Sequence, residues 1–188
     1  MANQIRIGHV VRKATAALCT GAALLMVLPV AAGGEDDAVV AKLQGSKHTL
    51  LEGIQAAQKE NGVPISAKIE FEDGKLWLSV YTAKLGLGKD AEQNVLMELN
   101  GVATSPKWEP KAEVFADKEH LARSAMQLTA MQTTSLTLEE VLAKATAQKK
   151  GTVYSVIPAV RAGKTVFDVL VATPAGKSLR LTIDETSK

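Results

Sequence analysis

Gly62 to Tyr81, GVPISAKIEFEDGKLWLSVY, is the stretch on which the fold turns. Ile65, Ala67, Ile69 and Phe71 alternate with Ser66, Lys68, Glu70 and Glu72. This is the period-2 pattern of a half-buried strand. Asp73-Gly74 follows, a dipeptide suited to a two-residue hairpin turn because Gly accepts positive φ. Leu76, Leu78 and Val80 then resume the apolar face on a second strand.

Outward from this hairpin, the chain reads as one pattern used twice. Before it, Thr49-Leu50-Leu51-Glu52 forms a capping box, in which each side chain satisfies the other's backbone N–H. Leu50, Ile54 and Ala57 share one helical face, and Gly62 suits the position that ends a helix. After it, Lys84 to Gln93 reads as a loop. Asn94 to Leu99 reads as a third strand, turning at Asn100-Gly101. The second pattern opens with Thr137-Leu138-Glu139-Glu140. Its helix carries Leu138, Val141, Leu142 and Ala145 on one face and stops at Gly151. Strands at Val153 to Val160 and Lys164 to Val171 flank Ala162-Gly163, and a last strand runs from Ser178 to Asp184. Thr49 and Glu52 stand 88 positions before Thr137 and Glu140, and Gly62, Gly74 and Lys75 stand 89 before Gly151, Gly163 and Lys164. Equal order and spacing point to an internal α-β-β-β repeat. Between the copies, Ala103 to Ala116 reads as a linker with Pro106, Trp108 and Pro110. Asp117 then caps an extra helix, Lys118 to Met131, with Leu121, Ala125, Leu128 and Met131 on one face. The first copy shows no counterpart to this helix.

The N-terminus reads as a targeting segment. Arg6, His9, Arg12 and Lys13 precede an uncharged run from Ala14 to Val30, and Val30-Ala31-Ala32 offers small residues to a signal peptidase. The competing reading is an uncleaved anchor, but the run falls short of the roughly 20 residues that span a membrane. Leu18 before Cys19 argues against lipidation. Cleavage is expected after Ala32, giving a periplasmic or secreted protein that touches membrane only through its leader. The leader would take with it the only cysteine, so no disulfide is expected. It would also take three of the 22 basic residues and no acid, leaving 19 against 20. The basic pI of the whole chain, about 8.6, therefore carries no argument for nucleic acid.

The helix and hairpin motifs resemble the PepSY module. Thr49-Leu50-Leu51-Glu52-Gly53-Ile54-Gln55-Ala56-Ala57 with Asp73-Gly74-Lys75-Leu76-Trp77-Leu78-Ser79-Val80 carries the likeness in the first copy. Leu138-Glu139-Glu140-Val141-Leu142-Ala143-Lys144-Ala145 with Ala162-Gly163-Lys164-Thr165-Val166-Phe167-Asp168-Val169 carries it in the second. Leu181 to Thr186 is similar to the module's closing strand and turn, although Ser187 stands where a glycine is usual. The resemblance implies a secreted or envelope unit without catalysis, with a regulatory role toward peptidases among its proposed functions.

The residues themselves show no catalytic set. His48 lies beside one N-cap and His120 in a first helical turn, which leaves too few converging ligands for a metal. Gly86-Leu87-Gly88-Lys89 lacks the helix start that a phosphate loop requires. Glu70, Glu72 and Asp73 sit on a wet strand face. The feature that stands out is Trp77 and Tyr81, opposite in direction to Leu76, Leu78 and Val80. Their second-copy counterparts are Val166 and Leu170. These two aromatics either bury, with the uncovered faces packed on each other or under the helix at 118–131, or form a partner-binding face, a groove or patch for a peptide or apolar ligand. Pro158 removes a ladder donor, so its strand is expected at a sheet edge or with a bulge.

The expected architecture is α+β: two tandem α-β-β-β units, each a helix on a small antiparallel sheet, with an extra connecting helix. The expected organisation is a signal peptide at 1–32, a flexible acidic segment at 33–42, a first unit at 43–103, a linker at 104–116, and the extra helix with the second unit at 117–188. The expected function is a binding or regulatory module, not an enzyme, without metal or cofactor, whose partner is a protein of the cell envelope or extracellular space. The alternatives are a soluble carrier of a small apolar ligand or metal, and a structural subunit of an envelope complex.

Overall fold

The computed structural model describes residues 34–187, so the leader lies outside the described residues. The chain is α+β. Helices α1 (Gly34–Lys42), α2 (Leu50–Glu60), α3 (Lys118–Gln132) and α4 (Leu138–Gln148) accompany seven strands. The strands are β1 (Val63–Glu72), β2 (Lys75–Ala83), β3 (Leu96–Val102), β4 (Lys111–Val114), β5 (Thr152–Arg161), β6 (Lys164–Ala172) and β7 (Ser178–Ile183). They form one antiparallel sheet in the order β4-β3-β2-β1-β5-β6-β7. The two small sheets expected from sequence are halves of this one.

Local chemistry sets each α-β-β-β unit. Both capping boxes are made: Thr49 and Glu52 bond each other's backbone N–H, as do Thr137 and Glu140. Each N-cap contributes about 1 kcal/mol. Leu50, Ile54 and Ala57 of α2 and Leu138, Val141, Leu142 and Ala145 of α4 are buried on one side of the sheet, hereafter the helix face. The strand residues Leu76, Leu78, Val80, Phe167, Val169 and Val171 meet them there. Gly53 lets α2 approach closely, since a Cβ there would stand 2.9 Å from a Leu78 methyl.

The two hairpins match beyond their turns. Asp73 and Gly74 have φ of 50° and 74°, and Ala162 and Gly163 have 49° and 75°. The register slips once in each hairpin, between Pro64 and Ser66 and between Val153 and Ser155, again 89 residues apart. A bulge bends its strand and raises the local twist. This matters where the halves join. β1 and β5 pair only at Ala67–Val156 and Lys68–Ser155, directly beside both bulges. The ladder stops on either side of this seam. Pro158 sits just past it, still opposite Phe167 of β6 but without a β1 partner, as a residue lacking an N–H allows. The bulge in its strand falls at Val153–Ser155 rather than at the proline.

Two helices fill the ends of the seam. α3 lies against β5 at Ile157–Val160, and the Ser66 hydroxyl donates to Gln127 Oε1 at 2.8 Å. The His120 ring, in its first turn, faces the Tyr81 ring on the side away from α2. Its last turn accepts a hydrogen bond at the Ala130 carbonyl from the Thr165 hydroxyl on the helix face. The helix thus crosses from one face to the other where the strands have parted. Its buried side is Ser124, Gln127, Leu128 and Met131, and Leu121, expected inside, is 39% exposed. Leu128 and Met131 are buried and Ala125 packs against the core, as the periodicity predicts, and Gln127 is drawn into the same side by its bond to Ser66.

Segment 33–42, expected to be flexible, contains α1. Val39 and Val40, with Leu43 just beyond, are buried, and the helix lies against β1 near Lys68–Glu72 at the other end of the seam. It is the counterpart of α3 that sequence did not reveal. Nine residues make too short a helix to stand alone, so docking rather than propensity forms it. The expected linker 104–116 contains β4, which escaped notice because all four of its residues are exposed. β3 does not turn at Asn100-Gly101 but runs through to Val102. A Cβ at Gly101 would stand 2.5 Å from Trp108 Nε1, so the glycine makes room for the tryptophan instead.

At Gly151, φ is 153° and a Cβ would lie 2.4 Å from the Ala172 carbonyl oxygen, whereas a Cβ at Gly163 meets nothing. Gly151→Ala is expected to cost about 2–4 kcal/mol and Gly163→Ala about 1–2 kcal/mol. Urea unfolding of the two variants checks the order, and equal costs would contradict the close strand approach at Gly151.

Candidate functional site

The side of the sheet away from α2 and α4 is only partly covered. It carries Lys68, Glu70, Trp77, Tyr81 and Glu98 in the first half and Ile157, Val166, Asp168, Leu170 and Arg180 in the second. α1 and α3 border it, and the sequence places both candidate aromatics here.

Tyr81 is not a free surface residue. It is 3% exposed and belongs to the core. Phe115, just after β4, meets it edge-on with ring centroids 4.8 Å apart, and His120 stacks on Phe115 at 5.2 Å. Lys68 Nζ stands 5.8 Å from the centre of the Tyr81 ring and pairs with Glu70 at 2.6 Å. Burial pushes the Tyr81 phenol up to about 12, with the Glu98 carboxylate adding to the effect and Arg123 opposing it. Burial also raises the Glu98 carboxyl, offset in part by the Ser79 hydroxyl and Lys68. Trp77 is half-buried with Lys75 Nζ 5.9 Å from its ring, and only this member of the expected pair reaches solvent.

The charges of the cluster are held by local partners. Asp117 accepts from the backbone N–H of His120 at 2.9 Å, and its second oxygen meets His120 Nδ1 at 2.8 Å. This is a helix cap, and the imidazole faces Phe115 rather than a hydroxyl nucleophile. The His48 ring bonds the Ser105 carbonyl at 2.8 Å and ties the start of α2 to the end of β3. Among the described residues no group of three or more His, Cys, Asp or Glu converges as metal ligands. Among the same residues no helix is long and apolar enough to cross a membrane.

The second half of the face differs. Asp168 pairs with Arg161 at 2.5 Å and with Arg180 at 3.7 Å. Around it Ile157, Val166 and Leu170 are partly exposed. Ile157 is shared by two open grooves. One, of about 570 Å³, runs past Asp36, Ala38, Tyr154 and Leu170. The other, of about 500 Å³, lies between α3 and β5 and is lined by Met126, Pro158, Ala159 and Val160. Met126 is 67% exposed and Val160 53%. Sequence reasoning missed these apolar residues. Met126 lies off the apolar face of its helix, which in a single sequence looks like noise, and Val160 continues the face of Val156 and Pro158, so its pattern reads as core.

No model of a known protein family matches the chain, and no curated protein does. Among solved structures, the crystal structure of a "putative lipoprotein" from Clostridium difficile 630 is similar at 12% identity. The match covers 76% of this chain and 90% of that one, with a TM-score of 0.39.

Two measurements check the site. Tyr81 and Tyr154 are the only tyrosines, and burial pushes both to about 12. An unfolded tyrosine titrates near 10. Between those values the unfolded chain has lost protons that the folded chain keeps, so stability falls as pH rises. Absorbance at 295 nm should therefore show no phenolate step near pH 10 while the fold persists, and a step there would contradict the burial. Tyr81→Ala is expected to cost about 3–5 kcal/mol and Trp77→Ala clearly less, as read by thermal and urea unfolding.

Proposed function

We propose that this chain is a secreted or periplasmic, non-catalytic binding module built from two PepSY-like units. Its recognition surface is the second half of the open sheet face and the adjoining groove beside α3. The observation that carries the reading is the exposure of Met126 and Val160 across a groove floored by Ile157, Pro158 and Ala159. Grouped exposed apolar side chains on a soluble surface mark interaction sites. The bordering charges, Arg123 on α3 and the Asp168–Arg161 pair, supply a polar rim of the kind protein interfaces show. The signal-peptide pattern of residues 1–32 supports the compartment. Matched bulges and turns 89 residues apart support reading the two units as copies of one module.

A carrier of a small apolar ligand is the second reading, because the groove volume falls within the range of ligand pockets. The two part in experiment. A photo-crosslinking residue at position 126 is expected to give discrete protein adducts in the native envelope or secreted fraction, and one at exposed Leu85 is not. Met126→Glu should leave stability within about 0.5 kcal/mol and abolish adducts from a crosslinker placed at Val160. A stoichiometric small molecule retained in native mass spectra, or adducts equally abundant from position 85, would overturn the binding-module reading.

A further inference from the structure

The two units are related position by position, and among the described residues the second has no strand where the first has β4, although the Tyr154 hydroxyl reaches across to Ser178 of β7 at 2.6 Å. Tyr81 corresponds to Leu170, and each faces a serine, Ser66 or Ser155, across its hairpin. The third strands correspond through their pairing. Tyr81 faces Glu98 as Leu170 faces Arg180, and Ala83 faces Leu96 as Ala172 faces Ser178. In the first unit the outer edge of β3 is taken by β4. Glu113 of β4 stands opposite Glu98. Two residues on, the Phe115 N–H donates to the Leu96 carbonyl at 3.1 Å, and the Phe115 ring covers Tyr81. In the second unit β7 ends the sheet among the described residues. Leu170, where Tyr81 would be, is half-exposed beside the groove that passes Asp36, Ala38 and Ile157. Arg180, where Glu98 would be, has a side chain 48% exposed.

We infer that the outer edge of β7 accepts an extended segment of a partner protein as an eighth strand, with an acidic side chain opposite Arg180 and an aromatic side chain two residues further on, over Leu170. The inference rests on the binding-module reading and names the kind of partner. The first unit supplies the template. β4 shows that a four-residue strand followed by one inserted ring suffices to cover such an edge. Backbone bonding then provides affinity and the alternate side chains provide selection. Glu98 faces the acid Glu113 in the first unit, whereas the exposed Arg180, 3.7 Å from Asp168, offers a cation at the same position, so the second edge favours an acid. β4 enters three residues before α3. No described residue stands in that relation to α1.

The probe is a labelled synthetic peptide of this chain's own residues 109–117, EPKAEVFAD, which carries the acid and the aromatic at the required spacing. Saturable binding to the mature protein is expected by fluorescence anisotropy. Arg180→Glu should weaken it roughly tenfold, and a peptide carrying Glu113→Lys should regain it on that variant. A peptide carrying Phe115→Ala should lose binding. Hydrogen exchange should show new protection in β7. The absence of saturable binding, or binding indifferent to Arg180→Glu, overturns the inference. So does self-association that already protects β7 in the isolated protein, since the occupant is then a second copy. Crosslinks from position 126 without peptide binding would remove β7 from the recognition surface while the binding-module reading stands.

Discussion

Two residue pairs, Ala67 with Val156 and Lys68 with Ser155, hold the two halves of this protein in one sheet. The rest of the architecture follows from the shortness of that seam. Each strand brings a bulge to it, at Pro64–Ser66 and at Val153–Ser155. The added twist carries the strands apart on both sides. A long seam would have closed the sheet and left α1 and α3 nowhere to sit. A parted one leaves exposed backbone and apolar edges, and the two helices cover them, α3 with Leu128 and Met131 and α1 with Val39 and Val40. The units are therefore not independent domains. Each alone would be about 60 residues with a thin core, and each depends on a helix that bridges to the other.

The open face is where the two units differ. Tyr81, Lys68 and Glu98 in the first half stand where Leu170, Ile157 and Arg180 stand in the second. The first half is polar, ringed with charge and sealed by Phe115. The second is apolar with its charges gathered on Asp168. The aromatic pair that drew attention in the sequence belongs to the sealed half. Tyr81 is a core residue whose phenol is kept neutral by burial, and Ile157, Val166 and Leu170, partly exposed on this face, are in the other unit.

The C-terminal turn closes the second unit onto the loop between α3 and α4. Asp184 Oδ1 accepts from the backbone N–H groups of Thr186 and Ser187 and from both hydroxyls. Glu185 Oε1 accepts from Thr134 and Ser135. These bonds hold both carboxyls below the usual carboxylate range. A depressed folded value favours the fold above the unfolded value and loses that contribution as pH falls through the folded one. The two carboxylates thus favour the fold at neutral pH and lose that contribution in acid.

By itself, the sequence determined the elements whose cause is local. The capping boxes at Thr49 and Thr137, the turns at Asp73-Gly74 and Ala162-Gly163 and the alternating strands each need only neighbours within a few positions. The α+β class and the pairing of two units follow from them. What only the tertiary structure decided was everything set by contacts at long range. α1 is too short to form without a groove, β4 has no buried face, Gln127 of α3 is buried to meet Ser66, and Gly101 serves Trp108 rather than a turn. The open face belongs to this second class. Whether a strand's outer residues are covered depends on which segment lands there, and Phe115 lands on one half only.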